Sequence, residues 1–323
     1  MSTLVNPEAL RRRVLLVPAL IALVAALATL LAATAVLAQD GEALTLVEDL
    51  PVWKAVILGL VEGLTEYLPV SSTGHLLVTN EILGLGQTPE SEQAIETYSI
   101  CIQAGAIAAV LVLYRERVRQ MVDGLLGRSD EGRQVLLAII VAFVPTAIIG
   151  LFIVDWVREQ LFGVPPIAAA WLVGGIGILA LTRSGLMERG GLAIGELTIG
   201  RAALIGVAQA VAMWPGTSRS LITIVAGVLV GLSLAAAVEF SFLLGLVTLS
   251  AATLATAAED GGQLIDLYGV ATPAVGMVVA FVAAVASVRW MVTWLQNRSF
   301  DVFGWYRIVI GIVAFAALGL GWL

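Results

Sequence analysis

The sequence predicts an all-α, polytopic integral membrane protein with inverted repeats. Each repeat is expected to hold one re-entrant helical hairpin and three transmembrane helices, with an extra transmembrane helix ahead of both. Three observations carry this. Of 323 residues, 59% are hydrophobic and only 13% charged, against about 45–50% and about 25% in soluble domains; mean hydropathy is +0.99. Long apolar runs recur along the chain, in place of the roughly ten-residue alternating segments of a membrane barrel. Two of these runs, 56–85 and 199–231, are broken midway by proline and small polar residues. Broken backbone at membrane depth is tolerated only where protein or a water-filled cavity surrounds it.

Taken in order, the chain opens with a polar head ending in Arg11, Arg12 and Arg13, which places the N-terminus in the cytoplasm. Residues 14–38 are apolar throughout. A signal peptide competes for this stretch, since residues 35–38 resemble a cleavage site, but its length favours a retained helix. The acidic residues 39–49 then lie outside. The first broken run reads as one helix to Tyr67, a turn at 69–72 and a second helix over 73–83, a hairpin that enters and leaves on the outer side. A polar loop at 84–93 leads to an inward span at 94–114. Arg115, Arg117, Arg119, Arg128 and Arg133 mark a short amphipathic stretch on the cytoplasmic face. Residues 134–154 span outward to Asp155 and Glu159, and 167–182 span back to Arg183 and Arg189.

The pattern then restarts. The run at 199–231, broken at 214–220, is a second hairpin from the opposite face. Spans follow at 233–257, ending near Glu259, Asp260 and Asp266, at 273–295, ending at Arg298, and at 302–323. Three spans per half is an odd number, so the second half is inverted. The chain divides into 1–50, holding the head, extra helix and outer linker, and one membrane domain at 51–323, with repeats at 51–182 and 199–323. Both tips read Pro-x-(Ser/Thr)-Ser, at 69–72 and 215–218. Inverted repeats with broken helices meeting near the midplane are a recurring transporter architecture.

The polar residues in the broken runs are candidates for chemistry. Ser71, Ser72 and Thr73 open one half-helix; Thr217, Ser218, Arg219 and Ser220 open the other. Free N–H groups at helix N-termini bind anions, and an arginine fork suits phosphate oxygens. Together they point to a phosphate or diphosphate near mid-membrane. Glu62 and Glu66 are four apart, on one face of a helix, and could hold Mg²⁺ or Ca²⁺ with substrate oxygens or share a proton. His75, the single histidine, could be general base, general acid or nucleophile. Plainer readings stand beside these. Ser71, Thr217 and Ser220 could bond their own backbone, and Arg219 could snorkel. Arg289, Arg298 and Arg307 read as span-end anchors, Glu239 as a cap or an ion-pair partner, and Gly174-Gly175-Ile176-Gly177 as close helix packing. The single cysteine, Cys101, excludes an intrachain disulfide or a cysteine-cluster metal site and reads as a packing residue.

The segments GLVEGLTEYLPVSSTGH and PGTSRS resemble the undecaprenyl-diphosphate phosphatase family of bacitracin-resistance membrane phosphatases. AAAVEFSFLLGL at 235–246 and the terminal RWMVTWLQNRSFDVFGWYRI support the match, which runs from Trp53 to the C-terminus. The resemblance implies hydrolysis of undecaprenyl diphosphate to the monophosphate and inorganic phosphate, recycling the cell-wall lipid carrier in the bacterial plasma (inner) membrane. It implies a divalent cation and a site reached from the outer face. By motif position Glu62 and Glu66 are the acidic pair acting through the metal, Ser72 and His75 the nucleophile and acid/base in either assignment, and Ser218 and Arg219 the diphosphate grip. Expected partners are the polyprenyl diphosphate lipid and the bilayer, with a homodimer left open and no nucleic acid. Two departures are visible: Leu221 replaces the glycine that usually follows the motif, and the first fifty residues have no counterpart in shorter members.

A lipid-phosphate transporter or flippase is the rival function, since inverted repeats are transporter-like. A two-histidine lipid phosphatase is excluded by the single histidine. A scaffold ranks last, because it has no use for two carboxylates and an arginine at membrane depth.

Overall fold

The computed structural model describes residues 50–322, which form helices and turns with one isolated bridge between Leu192 and Leu232. The expected extra helix at 14–38, its flanking arginines and the acidic linker fall outside the described residues. The helices are α1 (Val52–Thr65), α2 (Ser72–Ile82), α3 (Pro89–Leu113), α4 (Arg115–Leu125), α5 (Asp130–Leu161) and α6 (Val164–Arg183), then α7 (Ile199–Gln209), α8 (Arg219–Leu229), α9 (Leu234–Tyr268), α10 (Ala271–Leu295) and α11 (Asp301–Gly319).

Six of these, α3, α5, α6, α9, α10 and α11, are long and apolar enough to cross a membrane. They are the six spans expected from the sequence, and the protein is a multi-pass membrane protein. Their outward faces carry Leu151, Phe152, Val173 and Leu254, all strongly exposed; such a surface suits lipid and would be a liability in water. The short pairs α1–α2 and α7–α8 are the two broken hairpins, and no arm reaches the ~20 residues a span requires.

Local chemistry sets the boundaries. Thr88 and Ser91 form a reciprocal capping box ahead of Pro89, so α3 begins inside the stretch expected to be a polar loop. Glu90 and Glu92 occupy its first turn, where the helix dipole favours negative charge. Ser129 and Ser233 cap α5 and α9 by accepting from the Gly132 and Ala236 N–H groups. Those two helices, 32 and 35 residues long, run past the expected ends of their spans and carry Asp155, Glu159, Glu259, Asp260 and Asp266 on their final turns. Charge marks where hydropathy falls, not where a helix stops; the stops are Gly163 and Gly269.

The halves pack by exchange. α1 lies along α10 of the second half and α7 lies along α5 of the first, while α3 meets α9 and α6 meets α11. Small residues permit this close approach. Gly63 leaves no room for a Cβ against the Ala280 carbonyl, nor Gly206 against that of Ala142. Within the glycine run at 174–177, Gly174 and Gly175 serve close packing, as expected, Gly175 against the backbone of Gly304 in α11, while Gly177 faces open space. A continuous core of Tyr67, Val70, Ile139, Leu221, Phe240, Phe242 and Val288 joins both tips to the surrounding spans. Arg117 of α4 ties this core to the arginine-rich face by bonding Glu239 and Glu131, each at 2.7 Å, so Glu239 is an ion-pair partner.

Candidate active site

Two serines organise the site. Ser71 and Ser218 are the non-glycine residues with positive φ among the described residues, at 76° and 77°. Each is the N-cap of the second arm of its hairpin: Ser71 Oγ accepts from the Gly74 N–H and Ser218 Oγ from the Leu221 N–H. Both arms are 11 residues long. The structural match therefore pairs Ser71 with Ser218, and Ser72 with Arg219. This shifts by one the pairing that the Pro-x-(Ser/Thr)-Ser pattern suggests, because the second turn has an extra residue, taken up at Gly216 with φ 88°.

Holding a non-glycine residue in the left-handed region costs of order 1–3 kcal/mol and requires surroundings that impose it. Here Trp171 Nε1 donates to the Val70 carbonyl at 3.0 Å, and Ser220 Oγ crosses between tips to the Leu68 carbonyl at 2.8 Å. Arg307 does the most. It is 0% exposed and donates to the carbonyls of Pro69, Ala170 and Gly216 at 3.3, 2.9 and 2.8 Å. The expectation of a span-end anchor is thereby corrected: Arg307 sits nearly two turns inside α11, facing the tips across the space that Gly174 leaves for it.

Around this frame several of the expected site residues meet. Ser72 Oγ donates to Glu66 Oε2. Arg219 Nη2 donates to the other oxygen of the same carboxylate at 3.2 Å, and Nη1 donates to the Ser241 carbonyl at 2.9 Å. The Tyr67 ring lies 5.4 Å beneath the guanidinium. Glu66, Ser71, Ser72, Thr73, Ser218 and Arg219 line a cavity of about 230 Å³. A larger cavity of about 530 Å³ adjoins it through Ser72, Thr73, Gln103 and Phe162. Its walls include Leu76, Leu77, Ile95, Ile100, Val164 and Leu318, with Glu62, Glu81, Glu92 and Glu96 also on its lining.

Some expected residues lie elsewhere. Thr217 and Ser220 line neither cavity, and Ser220 is fully buried in the bond to Leu68. Leu221 packs into the core at the position Gly74 holds in the first tip, where Gly74 meets Trp171. His75 also lines neither cavity; its ring lies against Trp171 and Tyr306. Sequence reasoning missed Gln103, which lines both cavities and whose Oε1 accepts from Thr253 at 3.3 Å. A lone glutamine in an apolar span was the available signal.

A divalent cation is tested by the oxygens on offer. Glu62 is 1% exposed, faces the larger cavity and has one carboxylate oxygen without a hydrogen-bond partner. Both Glu66 oxygens are engaged. Among the described residues no three acidic, histidine or cysteine side chains gather into a metal-holding group. The oxygen free to meet a hard cation is therefore that of Glu62, and the other ligands of such an ion would have to come from outside the protein.

A family model described as bacitracin resistance protein BacA matches residues 55–313. The chain is similar to the undecaprenyl-diphosphatase of Sorangium cellulosum, 42% identical over 261 residues, covering 80% of this chain and 83% of the relative. It is similar to undecaprenyl-diphosphatase 2 of Rhodospirillum rubrum, 40% identical over 83% of this chain and 95% of the relative. An undecaprenyl-diphosphatase of Acinetobacter baumannii is 37% identical over 84% of this chain and 97% of its own length.

Proposed function

The chain belongs to the BacA family of bacitracin resistance proteins, and from that membership and its site we propose that it hydrolyses undecaprenyl diphosphate to undecaprenyl phosphate and inorganic phosphate. The carrying observation is the Ser72–Glu66–Arg219 cluster at the mouths of two half-helices. Ser72 is the nucleophile. Glu66 takes its proton as Oγ bonds to the terminal phosphorus, the bridging P–O bond breaks, and undecaprenyl phosphate departs with the electron pair. Water then attacks the phosphoserine, the P–Oγ bond breaks, Glu66 returns its proton to Ser72, and both water hydrogens leave on inorganic phosphate. Arg219 and the N–H groups at the starts of α2 and α8 stabilise the phosphoryl oxygens, the usual dominant contribution in phosphoryl transfer. Leu76, Leu77, Ile100, Val164 and Leu318 offer an apolar bed to the first isoprene units.

A divalent cation at Glu62, with Glu66 beside it, would supply charge neutralisation of the diphosphate. Full engagement of Glu66 with such an ion would require it to release Ser72 or Arg219. The reading places the protein in the bacterial plasma (inner) membrane, and charge asymmetry along the chain supports a cytoplasmic N-terminus with the site open outward. A lipid-phosphate carrier has no use for a serine hydrogen-bonded to a carboxylate, so hydrolysis is favoured. The test is phosphate release from undecaprenyl diphosphate by purified protein in detergent. Ser72→Ala abolishes it on this reading; full release in that variant would refute the nucleophile.

A further inference from the structure

His75 stands one turn after the proposed nucleophile, yet both its ring nitrogens are committed elsewhere. Nδ1 lies 2.6 Å from the Ser71 carbonyl and Nε2 lies 2.8 Å from the Tyr306 hydroxyl. A carbonyl oxygen only accepts, so Nδ1 carries the proton; in the neutral ring Nε2 is then the acceptor, and Tyr306 donates to it. Aromatic contacts hold the plane. The Tyr306 ring stacks at 5.8 Å and 11°, and the Trp171 ring lies at 5.0 Å.

What this ring grips is the strained residue of the first tip. The Ser71 carbonyl receives the His75 N–H at 3.3 Å and the ring N–H as well. The equivalent Ser218 carbonyl receives only a backbone N–H, from Ile222 at 3.1 Å. The tip with the extra clamp is the one whose next residue is Ser72. A small rotation at Ser71 would swing the Ser72 hydroxyl off Glu66, and near-attack geometry tolerates little misplacement. No proton donor is needed for the leaving group either, since a phosphate monoester has a second pKa of about 6.

We infer that Tyr306 and His75 are a positioning pair: Tyr306 fixes the Nδ1–H tautomer, and the His75 ring clamps the Ser71 carbonyl so that Ser72 faces Glu66 and the phosphorus. This rests on the proposed hydrolysis with Ser72 as nucleophile, and it assigns His75 no proton transfer with substrate.

Because His75 is the only histidine, ¹⁵N-histidine labelling of the whole protein in detergent reports one ring. The expected spectrum shows a protonated Nδ1 and an unprotonated Nε2 acceptor, with loss of the single tautomer in Tyr306→Phe. An Nε2–H ring in the wild type overturns the inference. Kinetics give the second arm. His75→Asn keeps an N–H donor for the Ser71 carbonyl but has no acid/base function near neutrality. It is expected to recover at least about tenfold of the kcat lost in His75→Ala, with both limbs of the pH profile retained. A His75→Asn enzyme as slow as His75→Ala at a wild-type unfolding temperature overturns the inference, as does loss of a pH limb. Ser72→Ala run alongside reports on the nucleophile separately: hydrolysis surviving there defeats the proposed mechanism, while the tautomer result stands on its own.

Discussion

Replacing Arg307 with methionine removes the group that ties both hairpin tips together, and its cost follows from its partners. Ala170 lies within α6, where its carbonyl also faces a helical N–H, but the Pro69 and Gly216 carbonyls have no backbone donor. Two buried acceptors left unpaired cost about 1–3 kcal/mol each, so about 2–6 kcal/mol is at stake. Part of this is offset, because burying a guanidinium is itself costly and methionine avoids that. Net stability should therefore fall by less than the hydrogen bonds suggest, while the tips lose their shared reference point. If only about 2.7 kcal/mol is felt as misalignment in the transition state, kcat falls about 100-fold. The assay pairs phosphate release with thermal unfolding in detergent. Arg307→Met is expected to lose at least about 100-fold in kcat with a modest drop in unfolding temperature. Arg307→Lys, which lacks the planar fork, should recover little. Wild-type kcat in Arg307→Met would refute the reasoning, since it would mean the tips hold their geometry without the clamp.

Glu66→Gln removes the proton acceptor from Ser72 while preserving shape; a loss of about 10²–10⁴-fold in kcat is expected from kinetics on folded protein. Gly245 faces the Arg219 guanidinium so closely that a Cβ would displace it. In Gly245→Ala the flexible side chain should yield while the fold stands: KM for the diphosphate rises at least about tenfold at an unchanged unfolding temperature, and an unchanged KM would contradict the proposed grip. Chelation should abolish phosphate release and Mg²⁺ or Ca²⁺ should restore it. Glu62→Gln should weaken cation binding measured by calorimetry with a non-hydrolysable diphosphate present. Release that survives full chelation would remove the cation from the reading.

The architecture was legible because its signals are long and redundant. Past residue 50, six apolar stretches and two proline-broken ones need no tertiary knowledge to be seen, and the described residues hold six long apolar helices and two broken pairs at those places; the further stretch at 14–38 lies outside them. Boundaries were less legible. The polar string ahead of α3 reads as loop by composition, yet Thr88, Pro89 and Ser91 make it a capped first turn. The residues at the tips were legible by type, since Glu62, Glu66, Ser72 and Arg219 are out of place in lipid. Their couplings were not. Arg307 follows Ser71 by more than two hundred residues and looks like any juxtamembrane arginine until α11 is packed against α6. Tyr306, its neighbour, was hidden for the same reason. Ser220 shows the converse: a motif serine whose hydroxyl is consumed by a backbone carbonyl from the other tip.

On the proposed mechanism, the one-residue shift in the tip match also accounts for one tip reacting and the other gripping. With Ser71 and Ser218 as equivalent caps, the first helical residue is Ser72 in one arm and Arg219 in the other, and both reach the same carboxylate, Glu66. The two arms are alike in length and cap, so the difference cannot come from their backbone. It comes from the segments that precede them. Residues 52–70 bring Glu62 and Glu66, whereas residues 199–217 contain no Asp or Glu. A serine at position 219 would find no acceptor from its own half, and an arginine at position 72 would neutralise the base needed there. A swap of the two residues, Ser72→Arg with Arg219→Ser, keeps composition, charge and both caps. If the tips were interchangeable it would retain hydrolysis. On the present geometry it is inactive in phosphate release while still folding, because Glu66 lines the cavity beside position 72 and an arginine there leaves that carboxylate no hydroxyl to deprotonate.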